Sequence, residues 1–187
     1  RGALYMVEAD GTRRDATMAD LIDAAKLCQR LSHIEHWEPL AFPHDMPGEY
    51  FSACVSQVMI RYQAKPFNVY HPEDLDLIYL AFGGVTPQQA RDMSHSGRCY
   101  GHATINPLSP LILPEPVCPW VVAFAELGQL MQIAPMPLSG ATAPCTLMGT
   151  VVQQNCEVLA PLVLTQLINP GCPVMYGSLA SGSDMRR

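Results

Sequence analysis

The sequence predicts an α/β protein of the parallel kind, a partial TIM (β/α)8 barrel preceded by an N-terminal extension made of a hairpin and a helix. Three observations point there. Apolar strand-like runs alternate with helix-like runs about five times and have no return hairpins between them, which is the pattern of parallel sheets. The stretch from Ala134 to Asp184 carries a complete strand, helix, strand crossover, the connection that parallel strands require. A chain of 187 residues, 49% hydrophobic and 15% charged, can bury one sizeable core. A whole barrel takes about 250 residues. The expected division is therefore 1–35 as the extension and 36–187 as an incomplete barrel, with about five of its strands. The chain begins at Arg1 and ends in MetArgArg, so a fragment of a longer enzyme is expected.

Taken in order, Leu4 to Val7 and Thr12 to Arg14 flank AspGly at 10 and 11, a pair that favours a tight hairpin turn. Thr17 is a good cap for a helix from about Met18 to Ser32, with Leu21, Ile22, Ala25, Leu27 and Leu31 as its apolar stripe. Asp20 and Asp23 suit the positive end of its dipole. Trp37 to Phe42 reads as a short strand, and ProHisAsp at 43–45 opens a helix over Pro47 to Tyr62. Lys65 to Tyr70 is the next strand. HisProGluAsp at 71–74 then starts a helix that Gly83 and Gly84 end, and a shorter helix covers Pro87 to Met93.

The strand Tyr100 to Ile105 must leave its sheet at AsnProLeuSerPro, because proline has no ladder donor. Pro114 to Leu130 reads as a helix with Pro116 and Pro119 confined to its first turns, followed by the strand Met131 to Pro135. A small-residue loop, Pro137 to Ala143, leads into a long helix with Thr142 as its cap and Pro144 in its first turn. Pro161 lies inside that helix and predicts a kink near Glu157 to Pro161. Asn169, Pro170 and Gly171 stop the helix before the strand Val174 to Tyr176.

Composition excludes several classes. A net charge of −6 with only 11 scattered Lys and Arg argues against nucleic acid, whose binding needs clustered cations. No apolar run reaches the roughly 20 residues of a membrane span, and no signal-peptide pattern opens the chain. A cytoplasmic protein is the expectation, and a homo-oligomer is compatible with it. The seven cysteines include no CxxC pair, and the six histidines form no HxH or HxxxH pair. Reduced, buried thiols and no metal site are expected.

In parallel barrels ligands bind at the carboxyl ends of the strands. The loops there are His71, Asn106 to Ser109, Met136 to Ala141 and Tyr176 to Ser183, rich in Asn, Ser, Tyr and Gly and poor in charge. They can shape a pocket and hydrogen-bond a ligand, but they offer no obvious general base, so no catalytic residue is assigned. The substrate-facing candidates are Asn106, Ser109, Met136, Ser139, Gly140, Tyr176 and Ser178. Each has a structural alternative. Asn106 can serve only the turn before Pro107, and Ser139 with Gly140 can be merely a helix entry. Tyr176 can be a half-buried aromatic with its hydroxyl in water. Of Gln153, Gln154 and Asn155, at least one must face inward, since neighbours on a helix point about 100° apart. A helix-to-loop hydrogen bond is the simplest use for it. His71 and His102 lie near strands, with a surface or loop role the simplest for both.

Several long words in this order also resemble the trimethylamine methyltransferase family: PMPLSGATAP, QQNCEVLAPLVLTQLINPG and PVMYGSLASGSDMR, with fainter agreement in ATMADLIDAAKLCQRL, KPF and INPLSPL. The resemblance runs over nearly the whole chain, and Pro161 departs from the smaller residue usual in the family. It implies a methyltransferase that moves a methyl group from a methylated amine, trimethylamine or a quaternary amine such as glycine betaine, to a Co(I) corrinoid in one-carbon metabolism or methanogenesis. The corrinoid is then carried by a partner protein, and no cofactor is bound directly by this chain. The trimethylamine branch is associated with a pyrrolysine, at a position beyond Arg187. Such a reaction asks the protein to orient the methyl group and exclude water, and Tyr176, Asn106 and Ser178 are compatible with holding an alkylammonium. Two other readings stay open. An unrelated barrel aldolase or hydrolase needs a lysine or carboxylates at strand ends, where neither Lys26 nor Lys65 lies. A non-catalytic binding protein needs neither.

Overall fold

A computed structural model describes residues 3–36, 38–71, 74–92 and 99–182. The chain divides into two units, Arg1–Gln88 and Gln89–Arg187. Ser183, named above, lies outside the described residues.

The first unit opens with an antiparallel ribbon, β1 (Tyr5–Val7) and β2 (Arg13–Asp15), turned at Gly11 with φ +84°. Helix α1 (Met18–Arg30) follows, and Thr17 caps it as the sequence predicts. Its side chain accepts from the Asp20 N–H while Asp20 Oδ2 accepts the Thr17 N–H at 2.8 Å, a reciprocal capping box. Arg14 adds two bonds to the same carboxylate, at 2.6 and 2.7 Å. Those bonds hold the Asp20 carboxyl well below the usual aspartate range.

The buried stripe of α1 is Leu21, Ala25 and Cys28, spaced by four and three. Leu27 and Leu31, expected to share it, are exposed on another face. Lys65 ends the helix, its Nζ donating to the Cys28 and Leu31 carbonyls at 2.8 and 2.6 Å. That structural duty agrees with its place ahead of a strand rather than at a strand end.

A 3-10 turn, Gly48–Tyr50, leads into α2 (Phe51–Tyr62), which buries Val55, Val58 and Met59. The strand expected over Lys65 to Tyr70 shrinks to β3 (Phe67–Asn68), since Lys65 is drawn to α1 and Pro66 has no N–H. Of the strand expected over Trp37 to Phe42, residues 38–42 keep an isolated bridge from Ala41 to Ala3. Trp37 lies outside the described residues. Helix α3 (Asp74–Ile78) runs on as a π-turn, Tyr79–Gly83, and Gly84 closes it at φ +63°. Helix α4 is Pro87–Asp92.

The second unit is built on three parallel strands side by side: β4 (Gly101–Ile105), β5 (Leu130–Ile133) and β7 (Val174–Tyr176). Between β4 and β5 the expected long helix is shorter. It consists of a 3-10 turn, Glu115–Val117, and α5 (Cys118–Glu126), which ends ahead of Gly128 at φ +61°. The core takes Val121, Phe124 and Ala125 from α5, Met131 and Ile133 from β5, and Ala103 and Ile105 from β4. His102 lies within β4 with 0% exposure, so it belongs to the interior rather than to a surface or loop. Gln129, also at 0%, accepts the Tyr100 N–H at 2.9 Å and so sets the start of β4.

After β5, a short strand β6 (Leu138–Ser139) pairs in parallel with β8 (Ser181–Gly182). Helix α6 (Leu147–Ile168) runs unbroken through Pro161. Its cap is Thr146, whose hydroxyl oxygen accepts the Gly149 N–H at 3.2 Å, and neither Thr142 nor Pro144 belongs to it. The reason is local. The N–H groups of Ala141, Thr142 and Ala143 all turn back to the Leu138 carbonyl, which closes the loop on itself before the helix can start.

All seven cysteines are free thiols, with Cys28 and Cys172 buried, Cys145 and Cys156 exposed and the others intermediate. The expectation of buried thiols therefore holds for two of them. Burial pushes the Cys172 thiol up to about 11. Among the described residues no helix is long and apolar enough to cross a membrane.

Candidate functional site

The register aligns the carboxyl ends of the three parallel strands. Ile105 lies opposite Ile133, and Ile133 opposite Tyr176, so Asn106, Ala134 and Gly177 leave the sheet at one edge. The two segments that leave β5 and β7 continue alongside each other. The Ile133, Pro135 and Pro137 carbonyls accept the N–H groups of Gly177, Leu179 and Ser181 at 2.8, 3.0 and 3.2 Å. Met131 opposite Val174 and Leu138 opposite Ser181 keep one offset, so the ladder crosses this stretch without a slip. Pro135 and Pro137 supply its acceptors but lack its donors, which divides one long strand pair into β5/β7 and β6/β8. Gly177 is required at the edge, because a Cβ there would lie 2.8 Å from Ala134 Cβ and 3.1 Å from the Ile133 carbonyl oxygen.

Helix α6 collects the loops of this edge. Its buried positions are Thr150, Gln154, Glu157, Val158, Pro161 and Thr165, mostly polar in the first half, while Leu147, Met148, Val151 and Val152 face out. Polar groups inside are tolerated because each has partners. Gln154 Oε1 accepts Ser178 Oγ at 2.7 Å, and its Nε2 reaches the Tyr176 hydroxyl at 3.5 Å. Gln153 Nε2 donates to the Thr142 carbonyl at 2.8 Å and to Glu157 Oε1 at 2.9 Å. Glu157 accepts Ser109 Oγ at 2.8 Å and the Leu111 N–H at 2.9 Å. Three loops, those after β4, β6 and β7, are thus fastened to two turns of one helix.

The candidates divide accordingly. Ser109, Ser139 and Ser178 have their hydroxyl protons committed, Ser139 Oγ to the Pro144 and Cys145 carbonyls at 3.1 and 3.3 Å. Their oxygens can still accept. Gly140 is exposed with φ +82° and makes the tight turn of the loop after β6. Tyr176 is half exposed, its hydroxyl between Gln154 and Asn155 at 3.5 Å from each. Asn106 is exposed, with no side-chain hydrogen bond among the described residues, and Met136 is exposed beside the edge. His71 is exposed in the first unit.

Glu157 was not among the candidates, yet among the described residues its carboxylate reaches these loops. Its signal in the sequence is plain: it is the single charged side chain between Leu147 and Ile168, in an otherwise apolar and amide-bearing helix. At 3% exposure, a carboxylate needs donors, and it has three. Among the described residues no group of three or more His, Cys, Asp or Glu is placed to hold a metal ion.

Comparison with known proteins agrees with the family resemblance of the sequence. The chain is 34% identical over 192 aligned positions to a glycine betaine methyltransferase of Desulfitobacterium hafniense, covering 99% of this chain and 39% of that protein. It is 44% identical over 79 positions to a proline betaine:corrinoid methyltransferase of Eubacterium limosum, covering 42% of this chain and 16% of that protein. It is 28% identical over 180 positions to the trimethylamine methyltransferase MttB of Methanosarcina thermophila, covering 92% of this chain and 36% of that protein. The chain thus spans under two fifths of the length of these relatives. The sequence model for trimethylamine methyltransferase (MTTB) matches residues 1–187, and the chain belongs to that family.

Proposed function

We propose that this chain is part of an enzyme that takes a methyl group from a methylated amine and passes it to a corrinoid carried by a partner protein. The observation that carries the reading is the family match over residues 1–187, joined to relatives named for glycine betaine, proline betaine and trimethylamine. In this reading 1–35 are an extension, 36–187 belong to an incomplete (β/α)8 barrel, and the protein works in the cytoplasm. The corrinoid supplies the Co(I) nucleophile, and this chain's residues bind and orient the amine.

The chemistry of the loops supports that division of labour. A quaternary ammonium has no N–H to donate, and a ring face attracts such a cation without a hydrogen bond. We assign Tyr176, half exposed, to offer its ring face, and Asn106 and Met136, both exposed, to line the same edge. Ser109, Ser139, Gly140 and Ser178 hold or shape the loops around them, and their oxygens remain available to the amine. Fixed loops would place the methyl group for an in-line displacement, and such positioning lowers the barrier.

The test uses the full-length protein with reduced corrinoid protein and, separately, glycine betaine, proline betaine and trimethylamine, followed by the absorbance of the corrinoid. Methylation with one of these donors is the expected result. Binding of an amine with no methylation by any of the three would favour a binding protein instead.

A further inference from the structure

We propose that Glu157 is a positioning residue: it holds the loop after β4 in the conformation that presents Asn106 at the carboxyl edge. The functional arm of this inference rests on the methyl-transfer reading above, and its structural arm does not. The loop is pinched by two backbone bonds, Leu108 N–H to the Ile112 carbonyl at 2.8 Å and Ile112 N–H to the Leu108 carbonyl at 2.9 Å. Inside the pinch Leu111 sits at φ +57°, a left-handed conformation that a branched residue avoids. The Leu111 side chain is 65% exposed, so packing does not impose that geometry. From outside the turn its N–H bonds to Glu157 Oε1, and Ser109 Oγ on Oε2 fastens the other side. Strain held by a buried polar group next to a ligand edge is the mark of a functional loop rather than a simple connection.

A carboxylate suits the task because it only accepts, and three donors meet it: Ser109, Leu111 and Gln153. A glutamine can reproduce this pattern without charge. Its Oε1 would accept from Leu111 and Gln153, and its Nε2 would donate to Ser109 Oγ, since a serine hydroxyl can reverse its role. Alanine can reproduce none of it.

The experiment compares wild type, E157Q, E157A and S109A in the full-length protein by amide hydrogen exchange and by steady-state methyl transfer from glycine betaine and from trimethylamine. E157A is expected to raise exchange at the Leu111 amide at least about tenfold while the amides of β5 keep their protection. E157A should also raise the amine KM about tenfold with a smaller change in kcat. E157Q should stay within about threefold of wild type on both readouts, and S109A should fall between. Should E157A fail to fold, S109A and E157Q carry the same comparison. Unchanged exchange at Leu111 in E157A and S109A would overturn the proposal. So would E157Q losing as much transfer as E157A, which would give the carboxylate a charge-based role. Absence of transfer from either amine in wild type would strike the methyl-transfer reading alone, and the exchange result would still decide whether Glu157 holds the loop.

Discussion

Ser178 Oγ donates to Gln154 Oε1 across 2.7 Å, which fastens the loop after β7 to the helix that precedes β7 in the chain. Gln154 is only 8% exposed, so its amide depends on that partner. Gln154→Leu, which keeps the bulk and removes the amide, should destabilise the protein by about 1 kcal/mol, because the exposed Ser178 and Tyr176 hydroxyls lose their inward partner and turn to water. Ser178→Ala should cost more, about 1–3 kcal/mol, since it leaves the buried Gln154 amide oxygen without its donor. A double-mutant cycle read by urea denaturation checks both, and additivity of the two variants would show that the bond contributes nothing.

The close approach of β5 and β7 at their carboxyl ends gives a second prediction. Gly177→Ala places a methyl group 2.8 Å from Ala134 Cβ, and it should cost about 1–3 kcal/mol through overpacking. Adding Ala134→Gly should recover only part of this, because the Ile133 carbonyl oxygen would still lie 3.1 Å from the new carbon. Melting temperatures of the two variants and wild type measure the ranking.

At the start of the chain, the Arg14 guanidinium holds the Asp20 carboxyl below its ordinary value. A depressed carboxylate contributes stability above its unfolded pKa, about 4, and the contribution is lost as pH falls toward the folded value. Asp20→Asn should therefore melt lower than wild type at pH 7, and the gap should close progressively below about pH 4. A gap that is constant from pH 7 to pH 3 would mean that the pair carries no linkage.

Thiol chemistry should follow burial. Cys145 and Cys156 are exposed, whereas Cys172 is buried, pushed up to about 11 and bonded through Sγ to the Gln129 carbonyl at 3.5 Å. Iodoacetamide at pH 8 should alkylate the first two in the native state and reach Cys172 and Cys28 only after denaturation. Peptide mass mapping at short times reads the order directly.

Much of this architecture is written locally in the sequence. AspGly at 10 and 11, Thr17 with Asp20 and the pair Gly83, Gly84 act through atoms a few residues away, and each ends or begins its element as expected. The strand ends that carry Asn106 and Tyr176 were legible for the same reason, since apolar runs stop at proline or glycine. The start of α6 was not. Thr142 and Pro144 satisfy the rules for a helix entry as well as Thr146 does, and the choice falls to a loop that folds back onto the Leu138 carbonyl. Leu27 and Leu31 fit a helical apolar stripe, yet the face that packs is the one with Leu21, Ala25 and Cys28.

By itself the sequence determined the alternation of strands and helices, the family, and the edge at which the loops gather, because period, punctuation and word order are local properties of the chain. Tertiary structure alone decided what the polar side chains of that edge do. Ser109 meets Glu157 from 48 residues away and Ser178 meets Gln154 from 24 residues away. A buried carboxylate or amide is tolerated only where donors converge on it, and that convergence is set by packing and register rather than by neighbours in sequence. The same fact moves Glu157 from an unremarked position in a long helix to the residue that holds the loop after β4.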